Sequence, residues 1–95
     1  MNNLNTIEQL AETIKARQNQ MPNGSYTASL FQKGENVIVK KLGEEFVEMI
    51  VEFSREDKQR MVSETTDFLY HLLVMLSLKN ISLDELYEEI EKRAK

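Results

Sequence analysis

The sequence predicts an all-α protein, a bundle of four to five helices, and three observations carry the prediction. Apolar residues recur at i, i+3, i+4 and i+7 along most of the chain. No stretch alternates cleanly over successive strand-length segments. Only 3 glycines and 1 proline occur among 95 residues, so the helix breaks are few and easily placed.

The first helix is predicted over 6–19. Ile7, Leu10, Ala11 and Ile14 form its apolar stripe, and Asn5 with Glu8 stands as an Asn-led capping arrangement. Met21-Pro22-Asn23-Gly24 ends it, because proline has no N–H and glycine accepts positive φ. Ser25 caps a short helix over 26–33, which Gly34 closes. A long helix follows over 35–54. Its line Ile38, Leu42, Phe46, Ile50, Phe53 faces a core, beside a second stripe of Lys41, Glu45, Glu48 and Glu52. Gly43 inside this helix costs up to about 1 kcal/mol relative to Ala, which a close helix contact would explain.

The next helix is predicted over 57–79, with Ser54 as its cap. Residues 68–76 are apolar nearly all round, and such a helix must be covered on every side. The other helices of so small a chain can hardly do so, and the sequence therefore predicts that a second copy completes the bundle, giving a homodimer. Asn80 ends this helix in a left-handed conformation. Ser82 and Glu85 form a capping box for the last helix, striped by Leu83, Leu86, Tyr87 and Ile90.

The length is that of one domain, 1–95. The absence of cysteine excludes disulfides and thiolate metal sites and fits a reducing compartment. The start Met-Asn-Asn-Leu-Asn-Thr shows no basic-then-apolar leader. The longest apolar stretch, 68–78, contains His71 and Ser77 and is too short to span a bilayer. A cytoplasmic protein without a membrane partner is expected. Net charge is −4 with dispersed Lys and Arg, which argues against nucleic acid as a partner. A polyphosphate substrate stays open, since a bound cation reverses the local sign.

The chemistry lies in two acidic couples, Glu45 with Glu48 and Glu64 with Asp67. At i,i+3 spacing, both carboxylates of a couple share one helix face. The same spacing at Glu85/Glu88 and Glu88/Glu91 lies among charged residues, where a solvated face suffices. The first two couples sit instead beside Phe46, Val47, Met49, Ile50 and beside Phe68, Leu69, Leu72, Leu73. Like charges beside a core raise each other's energy, and a bound cation relieves them. Four carboxylates form the oxygen donor set that suits Mg²⁺. Register agrees: Glu48 lies six residues before Ser54 and Glu64 ten after it. At 1.5 Å per residue the couples are offset by roughly 6 Å along a helical hairpin.

The alternative for Glu45 and Glu48 is a solvated face, with Lys41 supporting Glu45 at i,i+4. Lys40 and Lys41 are either surface lysines or phosphate contacts. Ser25-Tyr26-Thr27 offers hydroxyls and unbonded N–H groups at a helix start, which suits an anion, although simple capping accounts for Ser25. His71, the only histidine, follows Asp67 by four residues. It can be a ligand, a base, or a hydrogen-bonded residue at the edge of the core; the last is the commonest arrangement, with a contact to Asp67 as support.

The order Pro22, Gly24-Ser25-Tyr26-Thr27, Leu30, Gly34, Lys40-Lys41-x-Gly43-Glu44-Glu45-x-x-Glu48, Glu64-x-x-Asp67, Leu69-Tyr70-His71-Leu72 strongly resembles the phosphoribosyl-ATP pyrophosphatase family. That family belongs to the all-α nucleotide pyrophosphatases that include MazG, and the likeness covers nearly the whole chain. The resemblance implies a MazG-like bundle completed by dimerisation. It also implies Mg²⁺-dependent hydrolysis (Mn²⁺ substituting) of 1-(5-phosphoribosyl)-ATP to 1-(5-phosphoribosyl)-AMP and pyrophosphate, a step of histidine biosynthesis. Carried over residue by residue, Glu45, Glu48, Glu64 and Asp67 are metal ligands. Ser25, Tyr26, Thr27, Lys40 and Lys41 are substrate-binding, and Glu44 or Glu45 is the catalytic base. Phe46 stands where the family often has a small residue, and Ser63, Thr65 and Thr66 stand where alanines are frequent. These departures touch local packing and leave every carboxylate in place. Two alternatives remain: a related nucleotide-cleaning pyrophosphatase, and a non-enzymatic dimerisation module whose acids are solvated.

Overall fold

Capping chemistry sets the helix boundaries in the computed structural model, which describes residues 5–94. The first four residues, part of the start read above for a leader, lie outside the described residues. Helix α1, Thr6–Gln20, stops where Met21 turns left-handed at φ 49° and donates its N–H to the Arg17 carbonyl. Asn5 occupies the N-cap position without a side-chain cap bond, so the expected Asn-led arrangement does not form. Helix α2, Tyr26–Lys33, is capped by Ser25, whose hydroxyl accepts from the Ala28 N–H. Gly34 joins α2 to α3, Glu35–Arg55, at φ 97° and ψ −178°, a conformation that is essentially reserved for glycine.

A short turn then leads to α4, Lys58–Leu78: Glu56 is left-handed at φ 59°, and the Asp57 side chain accepts from the Arg60 N–H. This corrects the expected cap at Ser54. Ser54 lies in the last turn of α3 and donates its hydroxyl to the Val51 carbonyl, because the chain does not leave the helix until Glu56. The end of α4 is as expected: Asn80 is left-handed, its N–H bonds the Ser77 carbonyl, and the Ile81 N–H bonds the Leu76 carbonyl. Helix α5, Leu83–Arg93, begins with the complete Ser82–Glu85 capping box.

Ile14, Leu30, Phe31, Ile38, Leu73 and Val74, drawn from α1 to α4, form the core. The α3–α4 pair packs most extensively and runs antiparallel: Glu52 meets Arg60, and Phe46 meets Phe68 with ring centroids 5.6 Å apart. Helix α1 is latched to the end of α4 by Ser77 donating to Gln18 and by Lys15 donating to the Asn80 side chain. Tyr87 of α5 donates to Glu8 of α1 at 2.9 Å.

Three expectations about packing change. The apolar line of α3 splits: Ile38 is fully buried, whereas Phe46, Ile50 and Phe53 are 45%, 49% and 72% exposed. Helices α1 and α2 cover the end of the hairpin where Ile38 and Val74 lie and leave the turn end open. Conversely, every residue from 68 to 78 is buried or half-buried within this one chain, and Leu73 belongs to its own core. Much of the cover that segment requires therefore comes from within the chain, and its apolar character alone no longer argues for a second copy. Finally, a Cβ at Gly43 would meet nothing within 4 Å, so no helix contact within the chain explains this glycine. Among the described residues, no helix is long and apolar enough to cross a membrane.

Candidate metal centre between the third and fourth helices

One turn separates Glu45 from Glu48 on α3, and the antiparallel register brings Glu64 of α4 opposite them. One carboxylate oxygen from each of the three lies within 4.8 Å of the other two. Glu45 is buried, Glu64 half-buried and Glu48 exposed, so the group opens to solvent on the Glu48 side. Oε2 of Glu45 and Oε2 of Glu64 are both buried without a hydrogen-bond partner. Such oxygens carry an uncompensated desolvation cost. Burial, and then the negative Glu48 beside them, pushes the proton affinity of both Glu45 and Glu64 above the usual carboxylate range. Arg60 acts in the opposite sense on Glu64. Three converging acids, two of them with an orphaned oxygen, make an oxygen-only donor set that fits a hard divalent cation such as Mg²⁺ or Mn²⁺.

The carboxylate of Asp67 lies outside this trio, although its charge bears on both Glu45 and Glu64. Glu44 is exposed on the same turn of α3 and also stands apart. Lys41 Nζ is 4.0 Å from Glu45 Oε1, the i,i+4 pairing of the solvated alternative, but its partner is a buried acid rather than a solvated one. Lys40 is exposed beside it.

The start of α2 reaches α4 one turn beyond Asp67. The Tyr26 hydroxyl is 3.2 Å from His71 Nε2, and Thr27 shares a hydrogen bond with the Tyr70 hydroxyl. The Tyr26 and Tyr70 rings stack at 6.2 Å, and burial pushes the Tyr70 phenol up, keeping its proton in place. His71 is buried, as a core-edge residue should be. Its Nδ1 lies 2.8 Å from the main-chain carbonyl oxygen of Asp67, so the expected Asp67 contact is made through the peptide and not the carboxylate. The Ser25 hydroxyl is engaged in capping.

Glu52, read from the sequence as one more acid on a stripe, is 3% exposed. It accepts from Arg60 Nε at 3.0 Å and from Arg55 Nη1 at 3.4 Å. The Arg55 pairing was visible as i,i+3 spacing; the Arg60 pairing depends on the register across the turn. This clasp sits one turn from Glu48 on α3 and one turn from Glu64 on α4, and so fixes the two sides of the trio against each other.

The chain matches the phosphoribosyl-ATP pyrophosphohydrolase family over residues 7–94. It is 48% identical over 89 residues to the phosphoribosyl-ATP pyrophosphatase of Metallosphaera sedula, spanning 94% of this chain and 96% of that one. The protein of the same name from Saccharolobus islandicus is 42% identical over 89 residues, covering 94% and 95%. That from Cereibacter sphaeroides is 43% identical over 90 residues, covering 95% and 87%. The match takes in every helix that builds the carboxylate trio and the α2 start facing it, and the chain is therefore an enzyme of the phosphoribosyl-ATP pyrophosphohydrolase family.

Proposed function

We propose that this enzyme hydrolyses 1-(5-phosphoribosyl)-ATP to 1-(5-phosphoribosyl)-AMP and pyrophosphate, a cytoplasmic step of histidine biosynthesis, with Mg²⁺ held by Glu45, Glu48, Glu64 and Asp67. The observation that carries the reading is the convergence of three carboxylates with two buried, unpartnered oxygens. The names of the relatives supply the substrate.

The reaction breaks the P–O bond between the α- and β-phosphates; water delivers its oxygen to phosphorus and its proton to a base. Bound Mg²⁺ supplies compensation for the charge that develops on the phosphate oxygens. Glu44 or Glu45 accepts the proton, and Glu44, exposed on the same turn and outside the donor set, is the one we favour. Lys40 and Lys41 offset phosphate charge from one turn earlier on α3. Tyr26 and Thr27, held against α4, position the ribosyl or phosphate groups. A second copy covers the exposed strip of Phe46, Val47, Ile50, Phe53 and Val62, and closes over the open Glu48 side of the trio.

Pyrophosphate release from purified enzyme tests the reading. Phosphoribosyl-ATP is expected to be cleaved only with Mg²⁺ or Mn²⁺, and far faster than ATP. Glu64→Gln and Asp67→Asn keep shape and remove charge, and each is expected to lose on the order of a hundredfold in kcat. Equal release from ATP would replace the assignment with a nucleotide-cleaning one. No release from either substrate would favour the dimerisation module.

A further inference from the structure

One buried side chain connects the start of α2 to the main chain of Asp67. A carbonyl oxygen only accepts, so the 2.8 Å contact with Asp67 requires the proton to sit on His71 Nδ1. Neutral imidazole then has a bare Nε2, and the Tyr26 hydroxyl at 3.2 Å donates to it. The bonds run in one direction: Tyr26 O–H to Nε2, then Nδ1–H to the Asp67 carbonyl. The ring has little freedom to leave this arrangement. His71 is 6% exposed, Tyr70 packs edge-on against it at 4.9 Å and 87°, and Tyr26 does so at 6.2 Å and 80°. The neighbouring Thr27–Tyr70 bond straps the same two segments a second time. With both ring nitrogens engaged, neither is available to ligate a cation or carry a proton to solvent.

We propose that His71 is a positioning residue: fixed as the Nδ1–H tautomer, it couples Tyr26 on the substrate side to the main chain that carries Asp67. The proposal rests on the carboxylates being a cation site. Asp67 stands outside the converged trio, and its carboxylate is placed by the α4 main chain at that residue. A substrate that engages Tyr26 thereby acts on the cation site through three groups in contact, and a cation acts back on Tyr26 by the same amount.

The test uses the fact that His71 is the only histidine in the chain. With ¹⁵N-labelled histidine, a two-bond proton–nitrogen correlation shows a single imidazole. The expected pattern is a protonated Nδ1 and a bare Nε2, the reverse of the tautomer that a free neutral histidine side chain favours. Tyr26→Phe is expected to shift the Nε2 signal and leave Nδ1 in place. Manganese affinity of the intact enzyme, without substrate, gives the functional readout. Tyr26→Phe should weaken Mn²⁺ binding by about three- to tenfold, the equivalent of one hydrogen bond. His71→Asn, whose amide can still donate to the Asp67 carbonyl, should lose a similar amount, and the double variant should lose no more than either single one. Thermal melts check that each variant is folded; Tyr26 is exposed enough that its ring hydroxyl can be removed without opening the core. An Nε2–H tautomer, additive losses, or unchanged Mn²⁺ affinity in Tyr26→Phe would overturn the coupling while leaving the cation site standing. A wild-type enzyme that binds no Mn²⁺ would overturn the cation site, and the coupling with it.

Discussion

Glu45 and Glu64 hold their protons more tightly in the folded protein than in the unfolded chain, and the sign of that shift makes a prediction. Below the ordinary carboxylate range both states are protonated and the fold is not penalised. As pH rises from that range through the elevated values, ionisation is easier in the unfolded chain, so stability is lost. In EDTA, the wild-type Tm should therefore fall across this window relative to Glu45→Gln, and Mg²⁺ should remove the difference. Parallel profiles would show that burial does not strain Glu45. The two acidic couples were legible in the sequence because helix spacing alone puts their members on one face. Glu52 was not, since its main partner, Arg60, is found only by knowing which residues face each other across the turn. Nor was the Tyr26–His71 bond, whose partners are 45 residues apart.

Gly34 and Gly43 are opposite cases at the scale of the helix. Gly34 sits between α2 and α3 at φ 97°, where an L side chain is strained whatever space surrounds it. Gly34→Ala should cost about 1–3 kcal/mol in a urea melt and loosen the placement of α2 over α4. Gly43 lies within α3, and a Cβ there meets nothing in this chain. Gly43→Ala should raise stability by up to about 1 kcal/mol; a loss instead would indicate that the second copy closes on this turn. Helix limits were largely legible because glycine, proline and capping side chains act within a few residues. The two caps fail for different reasons. Asn5 stands at the N-cap of α1, but its backbone, at φ −107° and ψ 11°, is not the extended conformation in which a cap side chain reaches the first turn. Ser54 lies inside α3, and Glu56 and Asp57 set the point where the chain leaves the helix and α4 begins.

Across the whole molecule, apolar residues left uncovered gather at the turn end of the α3–α4 hairpin. Ile50→Asp should split a pair of chains in sedimentation or light scattering while leaving the helical signal and a cooperative melt. Leu73→Asp, which places a charge in the chain's own core, should unfold it instead. A wild type that is a monomer at micromolar concentration would remove the second copy from the proposal. The sequence reading had instead placed the seam between copies at residues 68–76. Periodicity identifies which residues share a face but not how far the neighbouring helices reach. The density of apolar residues at 68–76 is met by α1, α2 and α3, while the regular line along α3 outruns its cover after Leu42.

The α3–α4 hairpin has a kinetic consequence. The three converging acids lie on two consecutive helices joined at Glu56 and Asp57, so little chain must close before they meet. If this pair of helices forms before the rate-limiting barrier, the repulsion among Glu45, Glu48 and Glu64 is already felt at the barrier, and it slows folding. Glu64→Gln should then steepen the approach to the native state: in stopped-flow refolding its folding rate should rise while its unfolding rate barely moves. Slower unfolding at an unchanged folding rate would mean that the helices dock first near α1 and α2, and that the carboxylates come together last.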